Sequence, residues 1–193
     1  KTSDRVYKNT DTINNLFVLE DEIDTLKNIP WDQNVNPYNM EISFSNACNF
    51  KCGYCCSAFS SLWEDEIKQY GNYDLNYDQY GLHNKIYSEK EYNPYVEAFW
   101  KWWPDLYKDL HTFRITGGEP LMSKDTWKVL DYIIDSPSPN RNLCLSINSN
   151  LGVPESLYQK FREKFKIISE RELVKELIIF TSLIFFLFKF CFY

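Results

Sequence analysis

Histidine is scarce in this chain: His83 and His111 are the only two among 193 residues. No second cysteine pair lies at a distance from the first, so the two separated ligand pairs of a closed structural zinc site are missing. An excess of positive charge is also absent. There are 21 basic residues against 27 acidic ones, a net charge of −6, which argues against nonspecific binding to a phosphate backbone and leaves nothing that points to nucleic acid. The opening residues, KTSDRVYKNTDT, contain no apolar stretch. A secretory leader is therefore not expected, nor is a disulfide framework, and a reducing compartment, the cytoplasm, is the expected location. Methionine occurs only at positions 40 and 122 and the chain begins at Lys1, as a trimmed or fragmentary sequence would. Glycine is limited to six residues, so the adjacent pair Gly117-Gly118 stands out.

What is present describes one globular unit. Hydrophobic residues make 44% and charged residues 25%, a balance that can bury a core without cross-links. Aromatics reach 18%. Residues 1–40 read as a polar lead-in that packs on the main domain. Glu41–Ser45 alternates and suits a strand, and a cysteine-rich loop leaves it. Ser61 and Glu64 have capping-box spacing, with Gly71 placed to end that helix. Residues 57–110 form an aromatic-rich insertion, irregular between 70 and 92. Asn93-Pro94 starts a helix that Pro104 should restart or kink.

His111–Thr116 reads as the second strand, followed by a helix from Ser123 with Trp127, Leu130 and Ile134 at core spacing. Leu143–Asn148 is the third strand. A helix from Pro154 then sets Leu157, Phe161, Phe165 and Ile168 on one face, and Leu177–Leu183 is the fourth strand. Strands alternating with helices imply an α/β fold of about four parallel strands joined by right-handed crossovers with flanking helices.

Four of the six cysteines lie within nine residues: Cys48, Cys52, Cys55 and Cys56. Beside Asn46, Asn49 and Lys51 they do not read as core cysteines. The x3 and x2 spacing of the first three lets their thiolates converge, whereas Cys56 should point away from its neighbour Cys55. Three thiolates and a vacancy suit an iron–sulfur cluster with one open iron better than zinc. Zinc, simple electron carriage and unligated cysteines are the alternatives.

The run Cys48-Asn49-Phe50-Lys51-Cys52-Gly53-Tyr54-Cys55 resembles the signature loop of the radical S-adenosylmethionine superfamily. Phe113–Leu121, FRITGGEPL, is similar to that superfamily's GGEP strand end. The lead-in, the insertion and RITGGEPL look most like its uncharacterised twitch-domain proteins, over roughly residues 40–183. The resemblance implies a truncated partial (βα) barrel over 41–183. Cys48, Cys52 and Cys55 would hold a 4Fe–4S cluster, and S-adenosylmethionine would chelate the fourth iron. It further implies that Tyr54 lies near the adenine and that Gly117, Gly118, Glu119 and Pro120 engage the methionyl amine. Glycines without a Cβ would let the backbone approach the ligand. Ser146, Asn148 and Asn150 on the third strand, with Ser149 beside them, and Ser182 on the fourth complete the expected cofactor contacts.

The implied activity is reductive cleavage of S-adenosylmethionine to a 5′-deoxyadenosyl radical that abstracts hydrogen from a substrate. No catalytic side chain beyond the cluster ligands is singled out, and a reductant such as flavodoxin or ferredoxin is the implied partner. An iron–sulfur electron-transfer protein and a noncatalytic truncated relative are the competing readings. The substrate is not specified, because its contacts would come from strands and a domain this chain does not reach.

Tyr92, Tyr95, Phe99, Trp100, Trp102, Trp103, Tyr107 and Phe113 read as packing for the inserted helix, with a substrate platform as the alternative. The end of the chain, Leu177–Tyr193, is an apolar run with six phenylalanines. Leu177–Leu183 is assigned to the fold. Residues 184–193 read as an apolar tail outside it, which would leave the fourth strand as an open edge. A membrane-spanning helix here would be at the short limit and interrupted by Lys189, so membrane insertion is not the expected reading.

Overall fold

The structure, a computed structural model, describes residues 28–71, 87–88, 90–183 and 186–191. The lead-in before residue 28 and most of the 70–92 insertion lie outside the described residues. The described chain runs β1 (Asn39–Ser43), α1 (Ser61–Tyr70), α2 (Pro94–Asp109), β2 (Thr112–Thr116) and a short 3-10 turn (Pro120–Met122). It continues through α3 (Lys124–Asp135), β3 (Cys144–Ser149), α4 (Glu155–Glu170), β4 (Glu176–Leu183) and β5 (Phe186–Cys191).

One five-stranded sheet takes them in sequence order. Strands β1 to β4 are mutually parallel, as expected of the alternating pattern. The strand order never reverses, so there is no crevice of the doubly wound type, and the right-handed crossovers that parallel strands favour would carry their helices to one face. Strand parity records this. Phe113, Ile115, Leu145 and Ile147 are fully buried on the helix side, with Leu177 and Ile179 nearly so. Their neighbours Arg114, Asn148 and Ile178 face the other way and are only half-buried.

Local chemistry accounts for the helices. Asn93 caps α2 by accepting hydrogen bonds from the N–H groups of Tyr95 and Val96, and Pro94 follows where no N–H is needed. Ser123 caps α3 by accepting from Asp125 N–H. Gly71 ends α1 at φ 91°, with its N–H on the Ile67 carbonyl. Of the aromatics read as packing, Phe99, Trp103, Tyr107 and Phe113 are buried and Trp100 is half-buried, whereas Tyr92, Tyr95 and Trp102 are exposed. Trp103 is fully buried among Phe99, Tyr107, Phe113 and Tyr132, with ring centroids 4.9–5.8 Å away. Phe161, Phe165 and Ile168 bury the face of α4, with Leu157 packed at its margin. Fully burying one such large apolar side chain is worth about 1.5–3 kcal/mol. Asn36 ties the end of the lead-in to α2, bonding Trp102 and Asp109.

Several expectations are corrected. Strand β1 ends at Ser43, two residues early, because Phe44 turns into the core against Phe99 and Trp100. The capping box at Ser61 and Glu64 does not form: Ser60 is the N-cap and makes no side-chain cap bond. Helix α2 runs unbroken through Pro104. On α3, Ile133 rather than Ile134 is the fully buried residue. The run after β4 also differs: Phe186–Cys191 pairs antiparallel with β4, from Ile178↔Cys191 to Leu183↔Phe186. The fourth strand is therefore a covered strand, and β5 is the edge. Among the described residues no helix is long and apolar enough to cross a membrane.

Candidate metal and cofactor site

The cysteine loop leaves the C-terminal end of β1 and is gripped on one side by the first turn of α1. Ser61 N–H donates to the Asn46 carbonyl (2.8 Å), and Asn46 Nδ2 donates to Glu64 Oε2 (2.9 Å). Ser61 Oγ accepts from Cys48 N–H (3.1 Å) and donates to the Cys48 carbonyl (3.2 Å). Ser60 Oγ reaches the Phe50 carbonyl (2.8 Å), and Trp63 Nε1 the Cys52 carbonyl (3.1 Å). The residues whose spacing suggests a helix cap thus serve the loop instead. A tight turn, Cys55 N–H to Cys52 carbonyl (3.0 Å), sets the last part of the motif.

The Gly-Gly turn at the end of β2 is joined to the stem of that loop. Gly118 N–H donates to the Ser45 carbonyl (3.2 Å) and Glu119 N–H to the Ala47 carbonyl (2.7 Å). A Cβ at Gly118 would lie 2.7 Å from the carbonyl carbons of both Ala47 and Asn46, and closer still to the Ala47 oxygen. Gly117 adopts φ 119°, and a Cβ there would lie 2.8 Å from the Ser45 carbonyl oxygen. The glycines do permit a close approach, but the group approached is the backbone just before Cys48.

Glu119 is only 1% exposed. Its carboxylate accepts from Ser149 Oγ (2.7 Å), Asn150 N–H (2.7 Å) and Leu121 N–H (3.0 Å). Burial pushes its pKa up despite these donors. The carboxylate therefore faces the end of β3 rather than open space. Asn150 in turn donates to Asn49 Oδ1 (3.0 Å) and accepts from Gly152 N–H (2.7 Å), while Asn49 Nδ2 donates to the Gly152 carbonyl (2.8 Å). Cysteine loop, Gly-Gly turn and β3 exit form one hydrogen-bonded rim at the C-terminal end of the sheet.

Cys48 is buried and Cys52, Cys55 and Cys56 are half-buried, all as thiols outside any disulfide. Burial pushes the Cys55 thiol up, against the opposing effect of a backbone hydrogen bond at Cys56. As placed, no three His, Cys, Asp or Glu side chains among the described residues close on one point to hold a metal. The donors still fit an iron–sulfur centre by chemistry: three soft ligands on one loop, with Lys51, the cation in the motif, paired to Glu66.

The remaining expected residues are distributed around this rim. Tyr54 is 80% exposed at the loop surface, and Pro120 is buried as the first residue of the 3-10 turn. Ser146 is buried in mid-strand. Asn148 accepts from Arg114 Nε (3.1 Å) on the face away from the helices. Ser182 lies in β4, opposite Leu187 of β5. Sequence reasoning assigned no role to Arg114, Asn49 or Ser60. Their partners are 10–103 residues away, and no local spacing marks them.

A separate cleft of about 490 Å³ lies between α4 and β4, lined by Phe161, Phe165, Leu177 and Ile179. None of the rim residues is among the described residues that line it. Comparison of the chain with known protein families, curated proteins and solved structures finds no match.

Proposed function

We propose that the protein is a radical S-adenosylmethionine enzyme, or the N-terminal part of one, built on a truncated partial (βα) barrel. In this reading Cys48, Cys52 and Cys55 hold a 4Fe–4S cluster, and the Gly117–Pro120 turn with the β3 exit receives S-adenosylmethionine. The supporting observation is the joined rim: hydrogen bonds tie the cysteine loop to Gly118, Glu119, Asn150 and Gly152. Three motifs far apart in sequence thereby share the end of the sheet where βα folds carry their chemistry.

When bound, such a cluster supplies the electron that splits S-adenosylmethionine into methionine and a hydrogen-abstracting 5′-deoxyadenosyl radical. The chain's own contribution is placement. Gly118 and Glu119 commit their N–H groups to the loop stem, so the turn offers carbonyl oxygens, which suit an ammonium group. Closure of the Cys52–Cys55 turn toward buried Cys48 would complete the ligand set. Exposed Tyr54 is available to cover an adenine. The reading requires a one-electron donor such as flavodoxin or ferredoxin, in a cytoplasmic setting.

Anaerobic reconstitution with ferrous iron and sulfide should give about four irons per chain. After reduction, adding S-adenosylmethionine should change the electron paramagnetic resonance spectrum. Cys52→Ala should abolish the cluster, whereas Cys56→Ala should retain it. Equal loss of iron in both variants would replace the open-iron site with a four-cysteine one. An unchanged spectrum on adding S-adenosylmethionine would favour an electron carrier.

A further inference from the structure

We infer that Arg114 anchors a carboxylate group of the substrate, on the sheet face turned away from the helices; this rests on the preceding reading of the same end of the sheet. The register places Glu41, Arg114, Ser146 and Ile178 in one row across four strands, and Asn148 and Phe180 two residues further along the next strands. Arg114 Nε donates to Asn148 Oδ1 at 3.1 Å, and its guanidinium lies 5.2 Å from the Phe180 ring centroid. A neighbour at one nitrogen and a ring against the plane hold the fork in a set direction, which is what bidentate recognition of a carboxylate needs. Two residues separate Arg114 from the end of β2 at Thr116, about 7 Å of strand. A small acid held there would reach up to the rim of cysteine loop and Gly-Gly turn.

The ion pair Arg114 already makes is a loose one. Glu41 Oε2 stands 3.5 Å from Arg114 Nη1, and both side chains are about half-exposed. Such a half-exposed pair is weak and yields to a better-placed anion. Glu41 also accepts from Thr116 Oγ1 at 3.3 Å, a partner it keeps if it swings aside. The carboxylate of Glu41 thus occupies the guanidinium as a built-in competitor. Glu41 stands beside Arg114 on the neighbouring strand, and further across the same face β4 carries Glu176 and β5 places Lys189 opposite Phe180. The negative charge of Glu41 against the guanidinium favours a monoanionic carboxylate over a phosphate dianion.

The binding titration needs no iron, so it can fail while cluster assembly succeeds, or the reverse. The ¹⁵N-labelled chain is titrated with N-acetylglycine and, at matched ionic strength, with inorganic phosphate, following the Arg114 Nε–H resonance and the backbone amides of β2 and β3, which the variants retain. A saturable shift with N-acetylglycine, weaker with phosphate, is expected. Arg114→Lys should bind roughly tenfold more weakly, because it keeps the charge but loses the fork. Glu41→Gln should bind roughly two- to fivefold more tightly, because the competitor is gone. This second variant keeps the test decisive if position 114 tolerates no change. No saturable shift, or tighter binding of phosphate, overturns the assignment. Displacement of N-acetylglycine by S-adenosylmethionine alone also overturns it, since the guanidinium would then serve the cofactor's own carboxylate.

Discussion

Alanine at position 118 should destabilise the protein by about 2–4 kcal/mol. The new Cβ would sit 2.7 Å from the carbonyl carbons of Asn46 and Ala47, both backbone atoms that no rotamer change can move aside. Restoring ordinary contact requires the two segments to part by roughly 1 Å. Overpacking of this kind typically costs about 1–3 kcal/mol. Parting also strains the bonds from Gly118 N–H to Ser45 and from Glu119 N–H to Ala47, each worth about 1 kcal/mol. Thermal and urea denaturation followed by circular dichroism measure the change, which should appear as a midpoint lowered by roughly 5–15 °C. Gly53, inside the same cysteine motif, supplies the control: a Cβ there meets nothing within 4 Å, so Gly53→Ala should be nearly neutral. Cys48 follows Ala47 directly, so iron uptake by Gly118→Ala should fall with its stability. A Gly118→Ala protein within about 0.5 kcal/mol of the parent would refute the close-approach reasoning.

Three further outcomes follow from the packing and the charges. Burial raises the Glu119 pKa in the folded state above its unfolded value, so its stabilising contribution is full below about pH 4.5 and declines as pH rises through the raised pKa. The stability gap between the parent and Glu119→Gln should therefore narrow from pH 4.5 to 8 in urea titrations; a widening gap would mean that the three donors outweigh burial. Trp103→Ala should cost about 3–5 kcal/mol, whereas Trp103→Phe should cost far less, because among the described residues the buried indole N–H has no acceptor to lose. Comparable losses in the two variants by chemical denaturation would contradict that. Ending the chain at Leu183 removes the strand paired along Ile178–Leu183 and should expose a β-edge. Faster amide exchange in β4 and more self-association on size exclusion are expected, and unchanged exchange would show that β5 does not protect β4.

The order of elements, the parallel alternation and the parity of β2 and β3 are legible in the residues themselves. Local physics acts over two to four positions: alternation sorts Phe113 and Ile115 from Arg114, and Asn93-Pro94 carries its own cap. The two candidate motifs are likewise visible as spacings, each at the end of a strand. What those residues do for one another was decided by tertiary structure. Ser61 and Glu64 have the spacing of a cap but bond Cys48 and Asn46, because the loop backbone offers them partners that a capping pattern cannot anticipate. Gly118 reads as room for a ligand, yet the space beside it is filled by Asn46 and Ala47, some seventy residues earlier. Glu119 lies within a motif, while two of its three donors, Ser149 and Asn150, lie thirty residues away. Phe186–Cys191 shows no alternation, since an antiparallel edge against β4 is specified by the unpaired backbone of its neighbour and not by its own pattern. Contacts of that range depend on where the chain has already been folded, and this is why the joining of the three motifs into one rim appears only in three dimensions.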